Sequence, residues 1–572
     1  MKESSSIPDT FKTVEVTQQD NRLYEDNDES NKRLRELGYQ VEFRREMSFF
    51  GVLGMSFCAI GILTGMSSAF QTGLFSGGPL AELHLEICSL FMLFIALSLA
   101  EICIIVIRCQ VITHNSPTMG GLYFWVCKMK PDAPALGCKT IFLSNSILCT
   151  GWIYTIAMVL TGTSGNLSVA LYIASLVEIG QQTTLKRVEI AAIAWGVNIA
   201  SGVLNTVGTK AIGRMSSFNM WWTVGGTLIL VITLLVKAPE KRRGRVSSFQ
   251  NSGAFVFTDY ENFTGWQSKG FVVLLGFLQA VYTLEGCETA AQVAEEARRA
   301  EFLAPVAVVG SIIGSWVVGL AYMLALLFSV QSIPSVQSTS YAIPIAQLYF
   351  GAVGRRLTLM CLTIITLAQF MAAATAFTAS SRLFYALARD EAFPMKRHFM
   401  SLNRFQAPFV GIWLSVAVGC LISCAYIGSV IAFNAILSSA AISVMLGYLQ
   451  PIIIRNGGTW PLSSWTMVVV DQPNQLIGMH ELLSSSNVCL QFVPFVPTNH
   501  IFICVLFILP TASPVTQLNM NYSVVSIGGI ILIVGFTWAL WGRRHFNGPL
   551  HTNPGFGALS KAPPSEPKIS TV

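Results

Sequence analysis

The chain has 572 residues, 52% of them hydrophobic and only 12% charged. A soluble chain carries about 25% charged residues, so this composition excludes a water-soluble globular protein and predicts an all-α integral membrane protein. The formal net charge of +6 does not point to nucleic acid, because Lys and Arg sit in loops between apolar runs; the partner it implies is the lipid bilayer.

The 13 cysteines are scattered, mostly inside apolar stretches. No Cys-x-x-Cys pair or metal spacing is present, so they read as small buried hydrophobes. The histidines, His84, His114 and His398 among them, form no ligand pattern. No nucleophile-elbow, zincin or P-loop motif lies between a strand and a helix. Neither an enzyme, a metal site nor a cofactor is expected.

Residues 1–47 mix acids and bases with Ser, Thr and Gln and predict a disordered cytoplasmic tail. That polar start holds no cleavable signal peptide, so the first span is expected to direct insertion. Runs with little or no charge follow, each able to supply the roughly 20 residues a helical span needs. Ser48 to Ala81 holds span 1, Ile87 to Ile107 span 2, Thr140 to Val177 span 3, Ile190 to Thr209 span 4 and Met215 to Val236 span 5. Gly270 to Ala300 holds span 6, Phe302 to Gly354 span 7 with a long outer segment, and Leu357 to Ser381 span 8. Phe405 to Ile454 is uncharged and long enough for spans 9 and 10, and Leu482 to Gly542 holds spans 11 and 12. The predicted units are a first five-helix repeat over 48–236, a second over 270–454, helices 11 and 12 over 482–542, and a cytoplasmic tail over 543–572.

Lys and Arg in alternate loops set the orientation. With the N-terminus inside, the inner segments carry more than twice as many as the outer ones, so both termini are predicted cytoplasmic. Lys237 to Arg245, after span 5, runs against this rule. Asn262 stands in Asn-Phe-Thr, an acceptor sequon if its loop is outside.

Span 6 meets Glu285, Gly286, Cys287 and Glu288 near bilayer depth. A carboxylate in hydrocarbon costs at least a few kcal/mol, which marks a functional position. A glycine break frees backbone groups and survives only where they are buried in protein or line a polar cavity. Span 1 carries Gly61 and Gly65 around Ile62, Leu63 and Thr64. Glycines four apart also suit close helix packing. A second interrupted span five spans later points instead to an inverted repeat around a midplane site. Unwound ends offer N–H groups to an anion and C=O groups to an ammonium, so an amino acid fits both. Gly61, Ile62, Leu63, Thr64, Gly65, Tyr282, Leu284, Glu285, Gly286, Cys287 and Glu288 are the expected substrate contacts. Glu288 also has a structural reading as a hydrogen-bond partner, and Glu285 one as a group facing an aqueous vestibule. Glu86 and Glu101 read as boundary residues of span 2.

Four passages then resemble the amino acid–polyamine–organocation superfamily, most closely the fungal amino acid, GABA and choline permeases. They are LGYQVEFRREMSFFGVLGMSF from Leu37, PTMGGLYFW from Pro117, FVFTDYENFTGW from Phe255 and ASSRLFYALARDEAFP from Ala379. EGCETAAQVAEEA resembles the family's Gly-aromatic-acid pattern, with Glu288 as the acid and Glu295 and Glu296 as the following pair. The resemblance implies a LeuT-like fold: two five-helix inverted repeats with helices 1 and 6 broken, plus two extra helices. It implies proton-coupled or exchange uptake of amino acids or small amines, at the plasma membrane in preference to the vacuole. Arg382 and Arg389 would anchor the inner end of span 8 to headgroups. Cys287 stands where many relatives have an aromatic lid residue, and span 5 lacks the lysine of some proton-coupled relatives. Glu288 is therefore the expected proton carrier, since burial disfavours a carboxyl's charged form. Three stretches fit neither family nor periodicity: 104–116, 138–149 and 456–500. The first two read as translated introns and the third as a mis-joined exon, which sequencing of the mature transcript tests.

The expected function is a secondary active transporter for amino acids or GABA that works by alternating access. The alternatives are a choline or polyamine carrier, held by aromatic faces such as Tyr282, and a nutrient sensor that binds without transporting.

Overall fold

The computed structural model describes residues 47–545 except 83, 113–119, 129–141, 244–250, 252, 298–299, 394, 458–494, 518–519 and 543–544. Long apolar runs become helices because a backbone in lipid must satisfy its own polar groups. Among the described residues, eleven helices are long and apolar enough to cross a bilayer.

Span 1 is two helices, α1 (Phe49–Ile60) and α2 (Ile62–Phe75). Span 2 is α3 (His84–Ile112), followed by a short α4 (Gly121–Lys128). Spans 3, 4 and 5 are α5 (Phe142–Gln181), α6 (Arg187–Thr206) and α7 (Thr209–Arg243). Span 6 is α8 (Lys269–Leu284) and a four-residue α9 (Thr289–Gln292). Spans 7, 8, 9 and 10 are α10 (Ala300–Ser329), α11 (Arg355–Arg389), α12 (Phe409–Gly428) and α13 (Val430–Gly457). Span 11 appears as α14 (Phe495–Ile508), only 14 residues; its expected start at Leu482 lies outside the described residues. Span 12 is α15 (Ser523–Thr537), extended by a π turn. At 1.5 Å per residue the 40-residue α5 is about 60 Å long, twice a hydrocarbon core of about 30 Å.

The packing follows the two-repeat plan. Span 2 lies along span 7, span 3 along span 8, and span 4 along span 9. Each of these pairs joins helices that occupy the same place in the two repeats. Span 5 against span 8 is likewise mirrored by span 10 against span 3. Without a hydrophobic force between helices in lipid, contact depends on small residues and interhelical hydrogen bonds. A Cβ on Gly54 would lie 2.7 Å from the Ser216 carbonyl oxygen, so spans 1 and 5 touch backbone to backbone. Asn166 of span 3 donates to Asn198 of span 4 (2.9 Å), Ser201 donates back to Asn166 (3.0 Å), and Asn205 donates to the Ala374 carbonyl of span 8 (3.1 Å). Span 12 is peripheral: Val525 and Leu532 are 70% and 74% exposed.

Two strands, β1 (Ser76–Gly77) and β2 (Glu261–Asn262), pair antiparallel and seat the loop before span 6 on the end of α2. Asn262 is exposed there, with its side-chain oxygen taken by Thr264.

Several boundaries differ from expectation. Span 5 continues to Arg243, so the basic run after it begins inside a helix. Glu101 is buried within α3 rather than at a boundary. Residues 104–112 continue α3, 142–149 open α5 and 456–457 end α13. Residues 495–500 open α14, and the remainder of the three irregular stretches, residues 1–46 and residues 546–572 lie outside the described residues.

Candidate functional site

Both expected breaks are present. α1 stops at Ile60 because Gly61 turns left-handed (φ 59°, ψ 44°), and the same glycine is the N-cap of α2. Glycine reaches that region at no steric cost, whereas other L-residues meet a Cβ clash. Gly61 keeps two backbone bonds, its N–H to Phe57 (3.4 Å) and its carbonyl to the Gly65 N–H (2.6 Å). No side chain caps α2, so its first N–H groups stay open toward the space beside them. Thr64 Oγ1 donates back to the Gly61 carbonyl at 2.9 Å and fixes the turn.

The second break is wider. α8 ends at Leu284, Glu285 is extended (φ −75°, ψ 154°), and Gly286 takes φ +106°. Its freed backbone groups find protein partners. Ser56 of α1 donates to the Cys287 carbonyl and accepts the Ala290 N–H (2.9 Å). The Gly286 N–H donates to the Tyr448 hydroxyl of span 10 at 2.9 Å. Both oxygens of Glu288 accept tyrosine hydroxyls, from Tyr154 of span 3 and Tyr448 of span 10. That carboxylate ties three spans together at the break.

A cavity of about 60 Å³ lies between the breaks, walled by spans 1, 3, 6, 8 and 10. Of the expected contacts, Gly61, Thr64, Gly65, Tyr282, Glu285 and Gly286 line it. Ile62, Leu63, Leu284, Cys287 and Glu288 do not: all five are buried away from it. Ile62 points to span 7, where a Cβ on Gly319 would meet its Cδ1 at 2.7 Å. In span 1 the reason is helical phase. Gly61, Thr64, Gly65 and Ser68 are spaced as one face of a helix, so consecutive residues of that helix do not all face the cavity. The same phase gives the walls missed from the sequence: Met158, Thr161 and Gly165 on span 3, and Gln369, Ala372, Ala373 and Ala376 on span 8. Small and polar residues at i, i+3, i+4 in otherwise apolar spans were the available signal.

The expected headgroup anchors are buried instead. Arg382 Nε reaches Glu296 Oε1 at 2.8 Å with both side chains fully buried. Arg389 Nη1 reaches Glu295 Oε1 at 3.0 Å. The Met47 N–H donates to the Glu296 carbonyl at 3.0 Å, and Tyr123 donates to Asp390 at 2.9 Å. Because the span 6 acids neutralise these arginines, charge does not end span 8 at Ser381; the helix runs on to Arg389.

An apolar bundle in which two interrupted helices face a small cavity defines the class: a LeuT-like membrane transporter. Residues 47–536 match the family described as "Amino acid permease", and the chain belongs to that family. It is 28% identical over 543 residues to the amino-acid permease BAT1 homolog of Oryza sativa subsp. japonica, covering 91% of this chain and 96% of that one. It is 25% identical over 548 residues to the GABA-specific permease of Saccharomyces cerevisiae, covering 91% and 85%. Among solved structures, MhsT in complex with L-phenylalanine matches with a TM-score of 0.52 and 15% identity, over 80% of this chain and 98% of that chain. That likeness concerns the fold alone.

Proposed function

We propose that the protein is a secondary active transporter for small amino acids, GABA among them. The observation that carries this is the cavity, which has an uncapped helix N-terminus on one wall and a buried carboxylate, Glu285, on another. The start of α2 carries a partial positive charge of about half an elementary unit and free N–H groups, which suit a carboxylate. The carbonyl end of α8, with Glu285 as its C-cap, suits an ammonium. Its small volume, about 60 Å³, suits a compact zwitterion.

A choline or polyamine carrier fits less well. Tyr282 is the one aromatic residue among the described lining residues, so no aromatic cage surrounds a quaternary cation. The proposed coupling ion is the proton, and the proposed setting is the plasma membrane with both termini cytoplasmic. Alternating access would move one repeat against the other around the fixed cavity. Glu288, whose oxygens are both held by tyrosines, has the geometry of a structural clamp.

Radiolabelled uptake in permease-deficient cells tests the assignment. Alanine and GABA are expected to be carried and to compete with each other, with choline and spermidine inert. Saturable choline or spermidine uptake that amino acids leave untouched would overturn it.

A further inference from the structure

Two carboxylates three residues apart at the second break have opposite surroundings. Glu288 is fully buried off the cavity with both oxygens engaged. Glu285 lines the cavity at 4% exposure, and its Oε2 has no hydrogen-bond partner. Among the described lining residues, none is Lys, Arg or His. A buried carboxylate without a counter-charge is costly unless a proton or a cation joins it. The cavity thus holds one unmet demand for positive charge.

The place of that demand matters. The break in span 1 already offers both poles of an α-amino acid: α1 ends at Ile60, α2 begins at Ile62, and one glycine separates them. An α-amino acid carries ammonium and carboxylate on one carbon, so that single break can serve both. Glu285 adds a further negative pole on a different helix, at the carbonyl end of α8. It sits beside the first break without belonging to it: a Cβ on neighbouring Gly286 would lie 3.0 Å from the Ala59 backbone. A second unpartnered polar atom, Thr161 Oγ1 of span 3, lies on the same cavity and offers a further hydrogen bond to a bound amine.

We propose that Glu285 is the specificity-determining residue of the cavity. Its carboxylate takes the primary ammonium of the substrate, while the start of α2 takes the carboxylate. The site therefore favours small ω-amino acids, in which the two charges are several bonds apart, over α-amino acids of the same size. A primary ammonium donates N–H bonds to Glu285; a quaternary one has none to give. This inference rests on the small-amino-acid carrier proposed above.

Uptake of radiolabelled GABA and alanine by wild type, Glu285→Gln and Glu285→Asp, normalised to tagged protein at the cell surface, tests it. Wild type is expected to show a lower KM for GABA than for alanine. Glu285→Gln should raise the GABA KM by about tenfold or more, as for a lost charge-assisted hydrogen bond, and the alanine KM by a clearly smaller factor. Glu285→Asp should recover part of the GABA affinity, and it decides the question if the glutamine variant does not reach the surface. Equal shifts for the two substrates, or a wild type that prefers alanine, would overturn the assignment of Glu285 while leaving the carrier intact. Surface-resident wild type that carries neither substrate would overturn the carrier reading itself, and this proposal with it.

Discussion

The two helix breaks differ in what fills them. At the second, Ser56, Tyr154 and Tyr448 occupy the backbone groups and the Glu288 carboxylate, and the α9 segment beyond is followed by two acids that pair with span 8. At the first, one left-handed glycine interrupts the helix and no side chain caps the half that follows. The lesson is a division of labour. At one break protein takes the backbone groups and Glu288 and holds spans 1, 3, 6 and 10 in register, leaving Glu285 to the cavity; the other leaves its donors open beside that cavity. Buried backbone groups without partners are costly, so an open break persists only where something else is to fill it.

The largest effect expected from disturbing this contrast is at the ion pair beyond the second break. Arg382→Met leaves Glu296 buried and unpaired, which costs about 3–5 kcal/mol. The variant should lose thermal stability in detergent and uptake together, and Arg382→Met combined with Glu296→Met should recover stability. An undisturbed single variant would mean that the pair does not hold the segment.

Next come the glycines. Gly286→Ala places a side chain at φ +106° with its Cβ 3.0 Å from the Ala59 backbone, which cannot rotate away. Gly61→Ala sits at φ +59° with its nearest contact the Thr64 hydroxyl, which can turn aside. The left-handed conformation alone costs about 1–2 kcal/mol. Uptake should fall to background in the first and be measurably reduced in the second; the reverse order would refute the view that the second break is the rigid one.

Ser56→Ala removes the partner of two backbone groups at the second break, at about 1–3 kcal/mol for each group left unsatisfied. A lower melting temperature with an unaltered alanine-to-GABA preference is expected, since Ser56 does not line the cavity. The smallest effect belongs to Thr64→Val, which deletes one hydrogen bond to the Gly61 carbonyl worth about 0.5–1.5 kcal/mol. Because Thr64 lines the cavity, the substrate KM should change more than the melting temperature does.

Much of this arrangement was legible in the sequence. A glycine between two carboxylates located the break in span 6, Gly61 and Gly65 five spans earlier located the one in span 1, and the charge-free runs located the spans. The ends of the charged helices are not legible there: by sequence Arg382 finishes span 8 at a headgroup, whereas Glu296, 86 residues earlier, keeps it buried. Such pairing over long sequence separations leaves no local trace. Nor could spacing alone assign Glu285 and Glu288 their places, because adjacent positions at a helix break are not constrained by helical phase.

By itself, then, the order of residues determined that this chain crosses the bilayer many times and that two of its helices are interrupted. Those outcomes follow from hydropathy over about 20 residues and from the freedom of glycine, both local properties. The tertiary structure alone decided which freed groups are satisfied by neighbouring helices and which face the cavity. It did so because a buried polar group is stable only with a partner, and the partner comes from whichever distant helix packs there.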